Sequence, residues 1–519
     1  MDTKEILKFC IEKGLLLDEE VLNLFGDTDL NSAKIILETL KNQTQKKIIT
    51  KKLFIENKEG VSRILSNIPS SDQGNLEKLK IKLGINIQIS KEFSREVKPE
   101  FEIGQLDNSE VKILSGEVPV GKKFNLADFT TYFKNRFLET RNILQEHSEL
   151  DNLVSINKLS GNRQGVSLIG MVSKKRMTKN KNILFEIEDF TGKISVLINQ
   201  NNKELCEKAE DISLDAVIGF KGSGSRELFF VSDILFPEAM LFDRKKSPVD
   251  ENVLFLGDLH YGSNRFMEDG WKRFKNYLNG KIPNTPEVDN IKYLFLVGDL
   301  VTGVGNYPNQ ERDLKIIDLE EQFSSLADEL KQIRKDIKII ISPGNHDCVR
   351  LMEPQPFLDE KYAWPLYDMK NIIMTTNPAN VLIGAKPNFS GFNVLTYHGF
   401  SFPFYAGNVS KLVAKRAMNC PEEIMKYLLK NRHLAPSHAS TQYVPFKEDP
   451  LMIKKVPDIF VAAHTHKCAV AYHNNILIVS TSCWEEMTPY QEKFGNVPDH
   501  CKVPMMNLKT RAVKILDFE

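Results

Sequence analysis

From residue 252 to the end, apolar runs of strand type alternate with helical stretches, and five of those runs stop in the same kind of residue. NVLFLGDLH ends in Asp258 and His260, KYLFLVGDL in Asp299 after Gly298, and IKIIISPGNHD in Asn345, His346 and Asp347. FNVLTYHG supplies His398, and DIFVAAHTH supplies His464 and His466. Alternating strands and helices are the pattern of a layered α/β domain. In such folds function collects beyond the carboxyl ends of the strands, so five loops far apart in the chain can converge on one spot.

The residue types suit a purpose. Imidazole and carboxylate fit divalent first-row metals of intermediate softness, and apart from Cys348 no thiol stands at these ends, which argues against structural zinc. D-x-H and H-x-H place alternate side chains on one side of an extended segment. Two such pairs with one Asp, one Asn and one His are enough for two metals, with Asp299 as the natural bridge. Two metals about 3.5 to 4 Å apart activate a water, hold a phosphoryl group in line and neutralise the leaving oxygen. The expected chemistry is phosphoester hydrolysis. Singly, each motif has a plainer reading: strand-end histidines often only hydrogen-bond, Gly-Asp is often a turn, and Asn345 and Asp347 could cap a helix. Together, each after a strand, they favour the metal site. His147, His433, His438, His473 and His500 lack that placement and are read as surface or packing residues.

The chain has 519 residues, beyond what one hydrophobic core sustains, so two to four domains are expected. Its 69 basic and 69 acidic residues cancel, which excludes a global pull towards nucleic acid and leaves polyanion binding to a local patch or to metal ions. Seven scattered cysteines give no disulfide framework. No signal peptide or long apolar span is visible, so a soluble intracellular protein without a membrane partner is expected. Helical periodicity predicts a small helical domain over 1–75, and a polar, aperiodic linker follows over 76–123. In 124–245, Asn125 caps a helix whose Phe129, Tyr132, Phe133 and Phe137 are read as core packing, and five period-two runs suit an OB-type β-barrel. Between the first two runs, Lys174, Lys175, Arg176, Lys179 and Lys181 are positioned either to track a phosphate backbone or to solvate a hairpin. The metal-ligand region occupies 246–519.

The order D-x-H, GD, GNHD, H, H-x-H resembles the calcineurin-like metallophosphoesterase superfamily. That resemblance implies one metal on Asp258, His260, Asp299 and His466, and another on Asp299, Asn345, His398 and His464. His346 would orient or protonate the scissile phosphate or its leaving oxygen, and Asp347 would hold a ligand or His346 in place. GDLHYGSNRF, GDLVTGVGNYPNQ, PGNHDCVRLMEPQP, YHGFSF, RHLAP and STSCWEEMTPYQ narrow it, resembling the small subunit of archaeal family D DNA polymerase over about 125–519. The implied protein is a 3′-to-5′ exonuclease, typically manganese-dependent, although the ligand set also accepts iron, zinc or nickel. It would partner the large polymerising subunit, proofread single-stranded primer 3′ ends and lie with the nucleoid, with a sliding clamp as a further candidate partner. The implied fold is multidomain α+β: the small helical domain, the OB-type barrel, and a calcineurin-like α/β metallophosphoesterase domain built as a layered β-sandwich flanked by helices. Thr302 stands where that family often has Asp, and Ala463 where Gly is usual, which requires an ordinary backbone φ there. A non-catalytic scaffold or a free-standing phosphoesterase are the alternatives. The complete ligand set weighs against the first, and the additional domains against the second.

Overall fold

The computed structural model describes residues 3–17, 21, 33–34, 37, 41, 48–49, 111–115, 123–159 and 163–519. The chain divides into two units, residues 1–108 and 109–519. In the first, TKEILKFCIE forms a helix over Thr3–Glu12 that buries Ile6 and Cys10, one turn apart. Strands β1 (Leu16–Leu17) and β2 (Ile48–Ile49) pair in parallel. The helical reading of 1–75 therefore needs a strand pair added. Most of the rest of that segment, and the expected linker over 76–110, lies outside the described residues.

In the second unit the linker expectation is corrected at β3 (Val111–Ile113), which pairs antiparallel with Val381–Ile383 and buries Val111. A sheet edge offers a row of unpaired N–H and C=O groups, and three alternating residues are enough to take it. Next comes the helix Leu126–Gln145, started by the expected cap: Asn125 Oδ1 accepts the amides of Ala127 and Asp128, and Asp128 accepts that of Asn125.

The five period-two runs are β4 (Arg163–Met177), β5 (Ile183–Asp189), β6 (Gly192–Ile198), β7 (Val217–Gly224) and β8 (Leu228–Leu235). They close into a barrel in the order β4-β5-β6-β8-β7, with the helix Lys203–Glu210 between β6 and β7. Phe185, Val196, Phe220 and Phe229 fill its interior.

The remainder is a sandwich. One sheet runs β12 (Ile372–Met374), β11 (Lys338–Ser342), β10 (Ile291–Val297), β9 (Asn252–Leu256), β18 (Lys502–Asn507), β19 (Val513–Asp517). The other runs β16 (Ala469–His473), β17 (Ile476–Ser480), β15 (Ile459–Ala462), β14 (Phe392–Tyr397), β13 (Ala379–Ile383), β3. Val253, Phe255, Phe295 and Ile340 of the first meet Val381, Val394, Val461 and Val479 of the second between the sheets. The alternate residues Leu254, Leu256, Leu294 and Leu296 turn outward onto the helices Glu268–Leu278 and Leu319–Lys331. Both faces of each central strand are thus covered, which is why β9, β10, β11, β14 and β15 read as mostly apolar runs without a period of two.

The boundary expected near residue 245 does not separate two cores. Tyr132 packs with Tyr397, Leu428 and Tyr443 of the sandwich side, whereas Phe137 and Leu144, further along the same helix, pack with Ile169 and Leu235 of the barrel. Arg136, between them, is buried against Asp449 at 2.7 Å.

Candidate metal centre

The parallel strands β9, β10 and β11 of one sheet and β14 and β15 of the other end on the same rim of the sandwich. Asp258 and His260 follow β9, Asp299 follows β10, Asn345 and His346 follow β11, His398 follows β14, and His464 and His466 follow β15. All seven expected ligands are brought together. Asp258, His260 and His466 form one cluster, Asp299, His398 and His464 another, and His260, Asp299 and His346 a third that overlaps both, the ligating atoms of each within 4.8 Å of one another. Asp299 stands between the two, its Oδ2 3.2 Å from His398 Nε2 and 3.9 Å from His260 Nε2. Asn345 Oδ1 is 2.9 Å from His398 Nε2.

These residues fit divalent metal. His260 Nε2 and His466 Nε2 face each other at 3.2 Å. Two imidazole nitrogens sharing one tetrahedral ion at about 2.0–2.1 Å stand roughly 3.3 Å apart. Burial pushes the Asp258 carboxyl well above the usual range. It works the same way on Asp299, but His398 and His346 beside it win and hold Asp299 well below that range. Burial would lower His398, yet the Asp299 carboxylate pushes it up to about 9. His464 falls to about 3 through burial and the neighbouring His398, and His466 falls well below its ordinary value through burial and His260. His464 and His466, held neutral near the ionised Asp299, are in the form that ligates metal.

The backbone is shaped for this clustering. Asp258, His260, Asp299, His464 and His466 adopt φ of 51°, 48°, 49°, 69° and 57°. Non-glycine residues seldom occupy that region, and their concentration here is the kind of strain that gathers at functional sites. Two glycines are required by space. A side chain on Gly298 would strike the His398 ring, and one on Gly344 would strike the Asp299 carboxylate. Gly344→Ala is therefore expected to lower the metal bound per purified chain by more than half while cooperative unfolding persists; full metal content by elemental analysis would count against the clash.

His346 sits half-buried at the rim, its backbone N–H on Asp299 Oδ1 at 2.8 Å and its ring edge-on to His260 with centroids 4.9 Å apart. Its Nδ1 lies 2.9 Å from the Thr302 carbonyl. The Asn306 amide nitrogen is the other neighbour of Nδ1, at 3.2 Å, and with a proton on Nδ1 serving the closer carbonyl, Nε2 is the nitrogen left for other chemistry. The Thr302 hydroxyl donates to the His260 carbonyl at 2.8 Å, so threonine here ties the β9 loop to the β10 loop. Ala463 is fully buried and is not among the residues of positive φ, so glycine is not required there.

The expected role of Asp347 is corrected. Its Oδ1 accepts the Val301 amide at 3.0 Å and its Oδ2 the Gly344 amide at 2.8 Å, so it braces two loop backbones and meets neither a ligand side chain nor the His346 ring. A carboxylate three residues past the Gly344 amide finds backbone donors closer than any imidazole.

Other supports escaped the sequence reading. His398 N–H donates to Asn377 Oδ1 at 2.8 Å, Asn377 donates to Gln355 Oε1 at 2.6 Å, and Gln355 donates to the Gly344 carbonyl at 3.2 Å. Gln491 Nε2 lies 2.7 Å from His466 Nδ1. Gln355 and Gln491 both sit inside motifs quoted above, MEPQP and MTPYQ, which was the available signal.

The basic residues of the barrel are not brought to this rim. Lys174 pairs with Glu186 at 3.1 Å. Lys175 donates to the carbonyls of Ala209, Glu210 and Ile212 at 3.0–3.1 Å, fastening the end of the helix Lys203–Glu210 and the residues just past it. Arg176, Lys179 and Lys181 are exposed, and β4 runs through Lys174–Met177, so only part of this stretch is a loop.

Residues 251–468, enclosing every ligand, match the family model of calcineurin-like phosphoesterases. The chain is 35% identical over 416 residues to the DNA polymerase II small subunit of Methanothermobacter thermautotrophicus, covering 79% of this chain and 82% of that one. It is 36% identical over 400 residues to that of Pyrococcus furiosus, covering 75% and 63% respectively. With that of Halobacterium salinarum the figure is 32% over 403 residues, covering 75% of each chain. A solved archaeal phosphodiesterase aligns with 51% of this chain and 98% of its own at 11% identity and a TM-score of 0.26, a likeness too weak to add to the fold described above. Among the described residues no helix is long and apolar enough to cross a membrane.

Proposed function

Because this chain belongs to the DNA polymerase II small-subunit family, we propose that it is the nuclease subunit of a two-subunit DNA polymerase, removing nucleotides one at a time from DNA 3′ ends. The observation that carries the reading is the complete set of ligand side chains gathered around Asp299, with His346 at the rim. Asp258, His260, Asp299 and His466 would hold one divalent ion, and Asp299, Asn345, His398 and His464 the other, with manganese the expected metal. The ions would supply Lewis acidity and a water acidic enough to attack a phosphodiester near neutral pH.

The chain's own residues do the rest. Asp299, buried and ionised, fixes the His346 backbone and so the distance of its ring from the ligands. The Thr302 carbonyl holds the Nδ1 proton and leaves Nε2 of His346 to orient the scissile phosphate and, when protonated, to give its proton to the leaving 3′ oxygen. Asp347 keeps the β10 and β11 loops in register.

The barrel is read as OB type: its strand order, with a helix between the third and fourth strands, is that of the five-stranded Greek-key barrel. It would serve as the platform for the large subunit, as a guide for single-stranded DNA through Arg176, Lys179 and Lys181, or both. Each phosphate contact to a single strand contributes about 0.7 to the slope of log K against log salt, so replacing these three with Ala should flatten that slope by about 2. Lys175→Ala should leave the slope alone and lower the melting temperature, because it unfastens the end of the helix Lys203–Glu210. An unchanged slope in the triple variant would remove the guide role.

The test is degradation of a 5′-labelled single-stranded or mismatched primer with manganese, by the purified chain alone and with the large subunit from the same source. Stepwise shortening that a chelator abolishes is the expected result. No cleavage in either preparation would favour a scaffold in which the ligand cluster is architecture.

A further inference from the structure

Resting on the nuclease reading, we infer that Tyr490 and Phe494 form a stacking platform for the unpaired terminal bases of a single-stranded DNA 3′ end. The helical turn Pro489–Phe494 buries none of its own side chains, so apolar packing does not hold it in place. Polar contacts do. Thr488 N–H donates to Gln491 Oε1 at 2.9 Å and Gln491 N–H donates to Thr488 Oγ1 at 3.3 Å, a reciprocal lock. That lock aims the Gln491 amide nitrogen at His466 Nδ1, 2.7 Å away. The turn is thus fastened to a residue of the metal centre, and it carries two exposed rings.

Tyr490 is 69% exposed and Phe494 60% exposed, with centroids 4.7 Å apart. Met487 and Val497 are exposed on the flanking residues of the same segment. Exposed aromatic rings grouped in this way mark a binding surface. A stable subunit interface takes about 800 Å² from each partner, far more than a pair of adjacent rings supplies, whereas one pair suffices for a base or two. Every base has a π-face, so stacking tolerates any sequence. A base paired inside a duplex has both faces covered by its neighbours, and the platform therefore selects ends that are single-stranded or frayed by a mismatch. Lys493, exposed beside them with its Nζ 6.0 Å from the Phe494 centroid, adds a cation for the phosphate chain.

The experiment compares the full chain, with and without its large subunit, as wild type, as the Tyr490→Ala/Phe494→Ala double variant, and as Tyr490→Trp. Binding and cleavage are measured on a single-stranded oligonucleotide with ordinary terminal bases and on one whose last two sugars are abasic. The double variant is expected to bind the ordinary oligonucleotide about tenfold more weakly, to match wild type on the abasic one, and to keep its metal. Tyr490→Trp should retain affinity, its added indole fluorescence quenched by the ordinary oligonucleotide and not by the abasic one. Equal binding of both oligonucleotides by wild type and double variant would overturn the platform. So would loss of the large subunit from the double variant without loss of DNA affinity, which would make the strip a subunit contact. A base-dependent binding difference in a wild type that cleaves nothing would support the platform and overturn the nuclease.

Discussion

Asp299→Ala is expected to lose both metal and hydrolysis, while His346→Ala loses hydrolysis alone. Asp299 Oδ2 is the oxygen shared between the two clusters, 3.2 Å from His398 Nε2 and 3.9 Å from His260 Nε2, and its Oδ1 holds the His346 backbone. Removing it takes the negative charge from among buried imidazoles, and each of the two proposed ions would lose a ligand at once. His346 clusters with His260 and Asp299 but is outside both proposed four-residue ligand sets, so its removal is expected to spare metal content. A positioned acid–base group contributes about 10²- to 10⁴-fold to rate, and His346→Ala should fall by that factor in steady-state cleavage of a labelled primer. Elemental analysis beside the rate separates the two variants. A fully active His346→Ala protein would sink the role given to that ring, and an Asp299→Ala protein with both ions in place would sink the bridge.

Away from the centre, the largest effect on stability is expected at Arg136. Its guanidinium reaches Asp449 at 2.7 Å, the Pro436 carbonyl at 2.7 Å and the Tyr132 hydroxyl at 2.9 Å, and Asp449 also meets His433 Nε2 at 2.8 Å. All four side chains are buried. Breaking a buried ion pair from one side costs about 3–5 kcal/mol, because the other charge stays buried, so Arg136→Ala should lower the urea midpoint by that amount of stability. The pH dependence follows from the signs. Burial raises Asp449, but Arg136 and His433 hold it far below the ordinary carboxyl value. Its contribution is therefore complete above the unfolded pKa of about 3.9 and is lost as pH falls through the folded value. Burial, and then Arg136, holds His433 below its ordinary value. Without the arginine one of the two causes that lower His433 is gone, and its protonation towards acid pH partly replaces the missing cation. The stability gap between wild type and Arg136→Ala should therefore be widest near neutral pH and narrow towards acid. A gap that widens on acidification would contradict the network. Arg136→Met combined with Asp449→Leu should recover most of the loss, since it leaves no orphaned charge.

The ligands were legible because each lies just past an apolar run and strand ends are easy to find; Asp258, Asp299 and His398 needed only that neighbourhood. What depends on distant chain was not legible. Val111–Ile113 is three residues in a polar stretch, and it is a strand because Val381–Ile383 offers an open edge. Nothing near Arg136 announces Asp449, and nothing near Lys175 announces the carbonyls it occupies. Asp347 shows the converse failure. A carboxylate beside a histidine suggests a pair, yet backbone amides reached it first. Which strands belonged to which sheet was equally hidden, since a strand buried on both faces reads the same in either layer.

The helix Leu126–Gln145 is a party wall between two rooms. Its first half closes the room behind β14 and β15, its second half closes the barrel, and the Arg136–Asp449 pair is mortared into the middle. A fragment cut to begin at residue 246 would lack the wall on one side and would start with Asp449 charged in an apolar recess. The smallest piece of the second unit worth making by itself therefore begins ahead of Asn125, and a partner that takes hold of the barrel also leans on the wall that closes the core behind β14 and β15.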